Sequence, residues 1–334
     1  MTRVVSLGLG TIGLAIADAI LRNASVEIVG AVDASDAFAG KHLQAVLSKA
    51  PAGVMISGDL SSALTSEGGV VVQATSSKLS AVMPQLEVAI GEGWNILSTS
   101  EELMYAHSAD PGMAAKIHEL ALHNGVSVLG AGVNPGFLMD VLPLVLTGVC
   151  LDVKSVFVRR IVNTNARRLQ LQRKVGVGMR RTDFEAEAAA GRLGHVGLRQ
   201  SALLIADTLG WTNLHYEERL TPVLATKEMI TPVATVPADD VVGQHQVATV
   251  HSDGQERVRL ELQMYAGAEA VDEIQIEGEP SIHQVVLGGV NGDIATAAVI
   301  SNLIGAVEAA RPGLLTMAQL LPMACAPRLE RVEA

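Results

Sequence analysis

Val4-Val5-Ser6-Leu7-Gly8-Leu9-Gly10-Thr11-Ile12-Gly13 decides the fold. A short apolar strand runs directly into Gly-x-Gly-x-x-Gly, and the glycines open a helix predicted over residues 11–21. The spacing alone is weak evidence; its place between strand and helix makes it specific. Gly8 permits the tight turn, Gly10 lets the backbone approach a pyrophosphate, and Gly13 lets helix and strand pack closely. Thr11 and Ile12 begin the helix, where free N–H groups and the positive dipole end favour phosphate. Asp33 closes the largely apolar run 26–32, twenty residues after Gly13, where a carboxylate meets the adenosine ribose hydroxyls. A dinucleotide is expected here. The Asp33 carboxylate repels a 2′-phosphate, and Ala34, Ser35 and Asp36 follow it, which favours NAD; Lys41 and His42 nearby keep NADP open.

Length and composition narrow the classes. A chain of 334 residues suits two domains. With 49% apolar and 18% charged residues it reads as globular rather than disordered. The best membrane candidate, residues 137–151, is interrupted by Asp140 and Pro143, so no membrane partner is expected. The N-terminus enters a strand at once, so no secretory leader is expected. Cys150 and Cys325 make no disulfide framework and lack metal-ligand spacing, which predicts reduced thiols, no metal and a cytoplasmic location. A net charge of -11 argues against a nucleic-acid partner.

The first 150 residues alternate strand and helix. Strands are predicted at 3–7, 27–33, 54–56, 70–74, 95–98 and 127–130, with helices at 81–91 and 111–124 between them. The expected class is α/β: an N-terminal Rossmann doubly wound parallel sheet, then an α+β substrate and dimerisation domain with a largely antiparallel sheet. In that second part, strands are predicted at 153–162, 245–252, 257–266 and 270–277. The last three read as one meander turning at Asp253-Gly254, with helices at 182–190 and 196–209 on one face. An open face of that kind often dimerises, hence an expected homodimer. A last apolar helix, 291–309, is expected to pack back on the first domain. The predicted division is 1–135, 136–290 and 291–334.

Ligands of such sheets sit at the carboxyl ends of the strands. That rule selects Ala74, Thr75 and Ser76, then Ser98 and Thr99, as cofactor contacts. Glu101 and Glu102 follow, two adjacent acids whose side chains diverge, so one faces the cleft and the other solvent. A carboxylate there either holds an ammonium and acts as general base, or simply favours the start of a helix. Gly130–Phe137 is a second strand-to-helix junction, read equally as a plain turn or as an anion, carbonyl or amide site. Asp140 reads as a helix-start charge. His195 lies between glycines and reads as structural or as pocket-lining; Thr296 and Asn302 are candidates to face the cleft. Basic residues Arg159, Arg160, Arg167, Arg168, Arg173, Lys174, Arg180 and Arg181 are either solvated ends or an anion site.

NILSTSEEL, GAGVNPGFLMDVLPL, GHVGLRQS and NGDIATAAVISNLI, followed by PGLLTM, occur in that order, within a resemblance that runs over residues 3–320. Together they resemble the 2,4-diaminopentanoate dehydrogenase group, which includes native NAD(P)-dependent amine dehydrogenases and is distantly related to dihydrodipicolinate reductase. The resemblance implies a catalytic glutamate at Glu101 or Glu102, with a lean to Glu101. It also implies a pocket lined by Asn134, Pro135, Phe137 and Asn163. The His-His and Lys pairing and the Ser-Gly-Thr loop of true dihydrodipicolinate reductases are missing, against a role in lysine biosynthesis. The expected reaction is reversible oxidative deamination of a primary amine, with a small amine or carbonyl compound and ammonia as partners. The small and aliphatic residues over 135–146 favour an uncharged side chain; Arg168 or Lys174 would anchor the carboxylate of a diamino acid instead. Alternatives are 2,4-diaminopentanoate dehydrogenase proper, an imine or semialdehyde reductase of the same fold, and a cofactor-sensing binding protein.

Overall fold

A computed structural model of the chain describes residues 1–167 and 169–320. Arg168, Cys325 and the end of the expected third segment lie outside these. The chain divides into two units, residues 1–137 with 291–334, and residues 138–290.

The first unit runs β1 (Thr2–Leu7), α1 (Thr11–Ile20), β2 (Val26–Val32), β3 (Ile56–Ser57), β4 (Val70–Gln73), α2 (Leu79–Gly91), β5 (Asn95–Ser98), α3 (Ala106–Ala109), α4 (Pro111–Asn124) and β6 (Ser127–Gly130). The second comprises α5 (Val141–Thr147), β7 (Asp152–Asn163), α6 (Leu169–Lys174), α7 (Arg181–Ala189), α8 (Leu198–Thr208), β8 (Leu214–Leu224), β9 (Met229–Ile230), β10 (Thr235–Val236), β11 (Val241–Ser252), β12 (Gln255–Tyr265), β13 (Val271–Glu279) and β14 (Ile282–Leu287). α9 (Gly292–Glu308) and β15 (Gly313–Leu315) then complete the first unit.

A seven-stranded parallel sheet, ordered β15-β6-β5-β4-β1-β2-β3, forms the first unit. Val4, Val5, Val70, Val71, Ile96, Leu97, Val128 and Leu129 are all buried. Strands covered by helices on both faces need such continuous apolar runs. α9 packs on α1 and on β4, β5 and β6. The bounds of α4 match their prediction because the chain signals both ends. Asp110 accepts the Met113 N–H at 2.9 Å, Pro111 follows it, and Gly125 closes the helix at φ 69°. α2 begins two residues before its prediction, for a reason that lies elsewhere in the chain and belongs to the site. β15 carries no prediction: its three residues are too few to show a period.

A mixed, mostly antiparallel sheet, ordered β14-β13-β7-β12-β11-β8, forms the second unit, with β9 and β10 as a separate pair. Two corrections apply. The predicted meander does not hold, because β7 lies between β12 and β13 and runs parallel to β12. The chain passes from β12 to β13 around the end of β7, where Asn163 Oδ1 accepts the Gly267 N–H at 3.2 Å. β8 was not expected; its Glu217, Glu218 and Arg219 hide the strand pattern, and charged residues suit the edge it occupies. α8 packs on β8, β11 and β12, and α5 on β7 and β13. Among the described residues no helix is long and apolar enough to cross a membrane.

Arg160 is buried in this sheet beside Asp272, with Nη1 2.9 Å from Oδ1. The same pair holds Val290 by both backbone groups: its carbonyl accepts from Arg160 at 2.7 Å and its N–H donates to Asp272 at 2.8 Å. Burial pushes the Asp272 carboxyl up and the Arg160 guanidinium down, each partly offset by the other's charge. Removing one partner strands the other charge, so Arg160→Met should cost about 3–5 kcal/mol, read as a lower urea midpoint. Arg181→Ala, which breaks an exposed pair with Glu185, should leave that midpoint in place.

Candidate functional site

The three glycines of the loop after β1 answer to different constraints. Gly8 sits at φ 90°, and a Cβ there would stand 2.7 Å from the Ala74 carbonyl oxygen. A Cβ on Gly13 would stand 1.9 Å from the Gly8 carbonyl oxygen. Both are required by the fold itself. Around the Cβ position of Gly10 there is nothing within 4 Å. No contact within the chain requires glycine there, whereas a pyrophosphate lying against the backbone does. α1 starts without a side-chain cap, so the N–H groups of Thr11 and Ile12 have no helical partner.

Asp33 is fixed against this loop. Its Oδ2 accepts the Leu9 N–H at 2.7 Å and its Oδ1 accepts the Ser35 N–H at 2.9 Å. Lys41 donates to the Ala37 carbonyl at 2.7 Å, within its own turn. The residues present thus fit a dinucleotide: an open backbone approach, unpaired amides and an oriented carboxylate.

Ala74, Thr75 and Ser76 follow β4, and Thr75 Cγ2 forms part of the wall that excludes a side chain at Gly8. Ser98 is buried at the end of β5, and Thr99 donates its N–H to the Gln73 carbonyl at 2.9 Å. Glu101 and Glu102 open a 3-10 turn, Glu101–Tyr105, whose N-cap is Ser100. Neighbours separate the two acids. Glu102 accepts from Lys78 Nζ at 2.7 Å and from the Leu79 N–H at 2.8 Å. It therefore caps α2 from outside that helix, which is why α2 starts early. Glu101 is half-buried, and its carboxylate has no hydrogen-bond or ion-pair partner among the described residues.

The 130–137 loop packs against this acidic turn. A Cβ on Gly130 would stand 2.6 Å from the backbone of Leu103 and Met104, and one on Gly136 2.6 Å from Met104 Cε. Asn134 and Phe137 are half-buried and Pro135 is buried, after a cis Asn134–Pro135 peptide. The carboxyl ends of β4, β5 and β6 thus bring together Thr75, Ser98, Glu101 and the loop carrying Asn134. Thr296, on α9 of the same unit, is half-buried.

The remaining predicted pocket residues belong to the second unit. Asn163 caps the turn Thr164–Ala166, its Oδ1 accepting the Asn165 N–H at 3.0 Å as well as that of Gly267. His195 is held by its backbone, donating to Gln246 Oε1 at 2.7 Å and accepting from Gln246 Nε2 at 3.0 Å. Asp140 is fully buried, where it caps α5 through the Val141 N–H and accepts from Ser201 Oγ at 2.7 Å. Leu138, Met139, Val141 and Leu144 are buried too. Of the basic stretch, Arg159, Arg160, Arg180 and Arg181 face carboxylates of their own unit, while Arg173 and Lys174 are exposed. Sequence reasoning missed Gln73, a polar residue closing the apolar run Val70-Val71-Val72, which is itself the signal that would have found it.

Two family models match separate parts of the chain. Residues 137–331 fit the model of the 2,4-diaminopentanoate dehydrogenase C-terminal domain, and residues 2–100 that of the dihydrodipicolinate reductase N-terminus. 2,4-Diaminopentanoate dehydrogenase of Acetoanaerobium sticklandii is 30% identical over 329 residues, 95% of this chain and 93% of that protein. The amine dehydrogenase structure from Mycobacterium smegmatis is 25% identical, covers 98% of each chain and superposes with a TM-score of 0.83. Dipicolinate-bound dihydrodipicolinate reductase from Paenisporosarcina sp. TG-14 shares the fold at 13% identity and a TM-score of 0.53, over 96% of this chain and 100% of that one. A match of this extent draws both units into one lineage: the chain belongs to the 2,4-diaminopentanoate dehydrogenase family.

Proposed function

We propose that the protein catalyses the reversible oxidative deamination of a primary amine to a ketone or aldehyde and ammonia, with Glu101 as general base. The observation that carries this reading is the division of labour within the acid pair: Glu102 is engaged by Lys78 and the start of α2, while Glu101 has no partner among the described residues. A nicotinamide dinucleotide at the glycine loop supplies the hydride acceptor. The Glu101 carboxylate pairs with the substrate ammonium and takes one N–H proton, leaving a neutral amine with a lone pair to push. Once that proton has passed to solvent, the carboxylate takes one from the water that adds to the oxidised carbon and hands it to the nitrogen that leaves as ammonia. The net change is amine, oxidised cofactor and water to carbonyl, ammonia, reduced cofactor and a proton. We assign NAD rather than NADP, because the Asp33 carboxylate is fixed by two N–H groups and cannot swing away from a 2′-phosphate. A cytoplasmic homodimer is part of the same reading.

Oxidation of NADH with small ketones and aldehydes should require ammonia; oxidation without it would move the protein to the carbonyl or imine reductases. Run alongside, 2,4-diaminopentanoate and a simple alkylamine in the deamination direction separate a diamino acid pocket from an apolar one. Glu101→Gln should lower kcat by about 10²–10⁴-fold with dinucleotide affinity within twofold. Glu102→Gln should keep kcat within a few-fold and lower the melting temperature instead. Comparable kcat in wild type and Glu101→Gln would sink the assignment.

NADH should be preferred over NADPH in kcat/KM. Asp33→Ser should shift that ratio toward NADPH by about tenfold or more, by removing a like charge from the 2′ position. An unchanged ratio would show that Asp33 does not read the ribose.

A further inference from the structure

Behind the Glu101 turn lies a row of uncharged polar side chains that an apolar sheet has no packing reason to contain. Gln73 is 1% exposed, and Ser98 and Ser100 are 0% exposed. Burying a carboxamide and two hydroxyls is unfavourable unless they are hydrogen-bonded. All three are. Gln73 Nε2 donates outward, to Thr75 Oγ1 and to Gln85 Oε1 on α2 at 3.3 Å, and Thr75 Oγ1 donates to Gln85 Oε1 at 2.8 Å. Gln73 Oε1 is thereby turned inward, where it accepts from Ser98 Oγ. With its one proton committed, Ser98 Oγ offers a lone pair to the Ser100 N–H, at 3.0 Å. Ser100 Oγ is tied in turn to the Ser77 carbonyl at 3.0 Å. Ser100 is the residue from which the Glu101 turn starts.

We propose that Gln73 and Ser98 are positioning residues: their hydrogen-bonded row fixes the Ser100 amide and so the place from which the Glu101 carboxylate projects. This rests on Glu101 being the base. The row also explains why these strands end in polar residues of matched hydrogen-bonding sense, a donor meeting an acceptor at each step. Its outer member, Thr75, stands against Gly8, so the wall of the glycine loop and the Glu101 turn share one network. A displacement of the carboxylate by a fraction of its length loses rate without loosening the cofactor.

Ser98→Ala should lower kcat on the order of 10–100-fold, with dinucleotide Kd changed less than twofold, and Ser98→Thr, which keeps the hydroxyl, should restore most of it. In a Glu101→Gln background, Ser98→Ala should add no further loss, because residues acting through one group are not additive. Gln73→Met breaks the row at its other end and serves if thermal melting shows that Ser98→Ala has lost its fold. Losses that multiply in the double variant, or full kcat in a stably folded Ser98→Ala, overturn the positioning role. Near-wild-type kcat in Glu101→Gln alone overturns the assignment of Glu101 instead, and is read separately from the double variant.

Discussion

The first unit depends on one contact too close for any side chain, the Gly8 carbonyl against Gly13, where a Cβ would stand 1.9 Å away. Because of it α1 leaves β1 as tightly as backbone allows, with its first amides directed past an open Gly10. The parallel pairing of β1 with β2 and β4, and of β4 with β5, then sets the other strand ends on the same edge. Ser98 ends its strand, and Asp33, Thr75 and Glu101 sit just beyond theirs. Their proximity is a consequence of register, since no direct contact among the four is needed to assemble them.

What distinguishes the carboxylates is their surroundings. Asp33 is held in place by two backbone N–H groups. Glu102 joins the acidic turn to Lys78 and the start of α2. Glu101, one residue away on a tightly wound turn, has no hydrogen-bond or ion-pair partner among the described residues. The proposed base rests on this asymmetry: Glu102 already faces a cation, and Glu101 faces none among the described residues.

Much of the first unit was legible because its signals are local. Gly8, Gly10 and Gly13 give their own reasons, and Asp110, Pro111 and Gly125 mark both ends of α4. The two corrections in the second unit came from non-local pairing. Nothing within residues 153–162 says that β7 inserts between β12 and β13, and the charges of β8 match solvent as well as an edge strand. At the site, spacing raised Glu101 and Glu102 together and could not part them. The parting depends on Lys78 and Leu79, more than twenty residues earlier in the chain. Gln73 is different: its place at the end of an apolar run marks it locally, and only its partner Ser98, on another strand, is out of reach of the sequence.

The clamp of Arg160 and Asp272 on Val290 has a consequence for local opening. Val290 is the last residue of the second unit, and both of its backbone groups are engaged by side chains of that unit. At the other seam, Asp140 turns inward to Ser201 and the first amide of α5. Both cut points of the inserted unit are therefore sealed from within. An insert that closes its own seams keeps its first and last turns when the chain outside it frays.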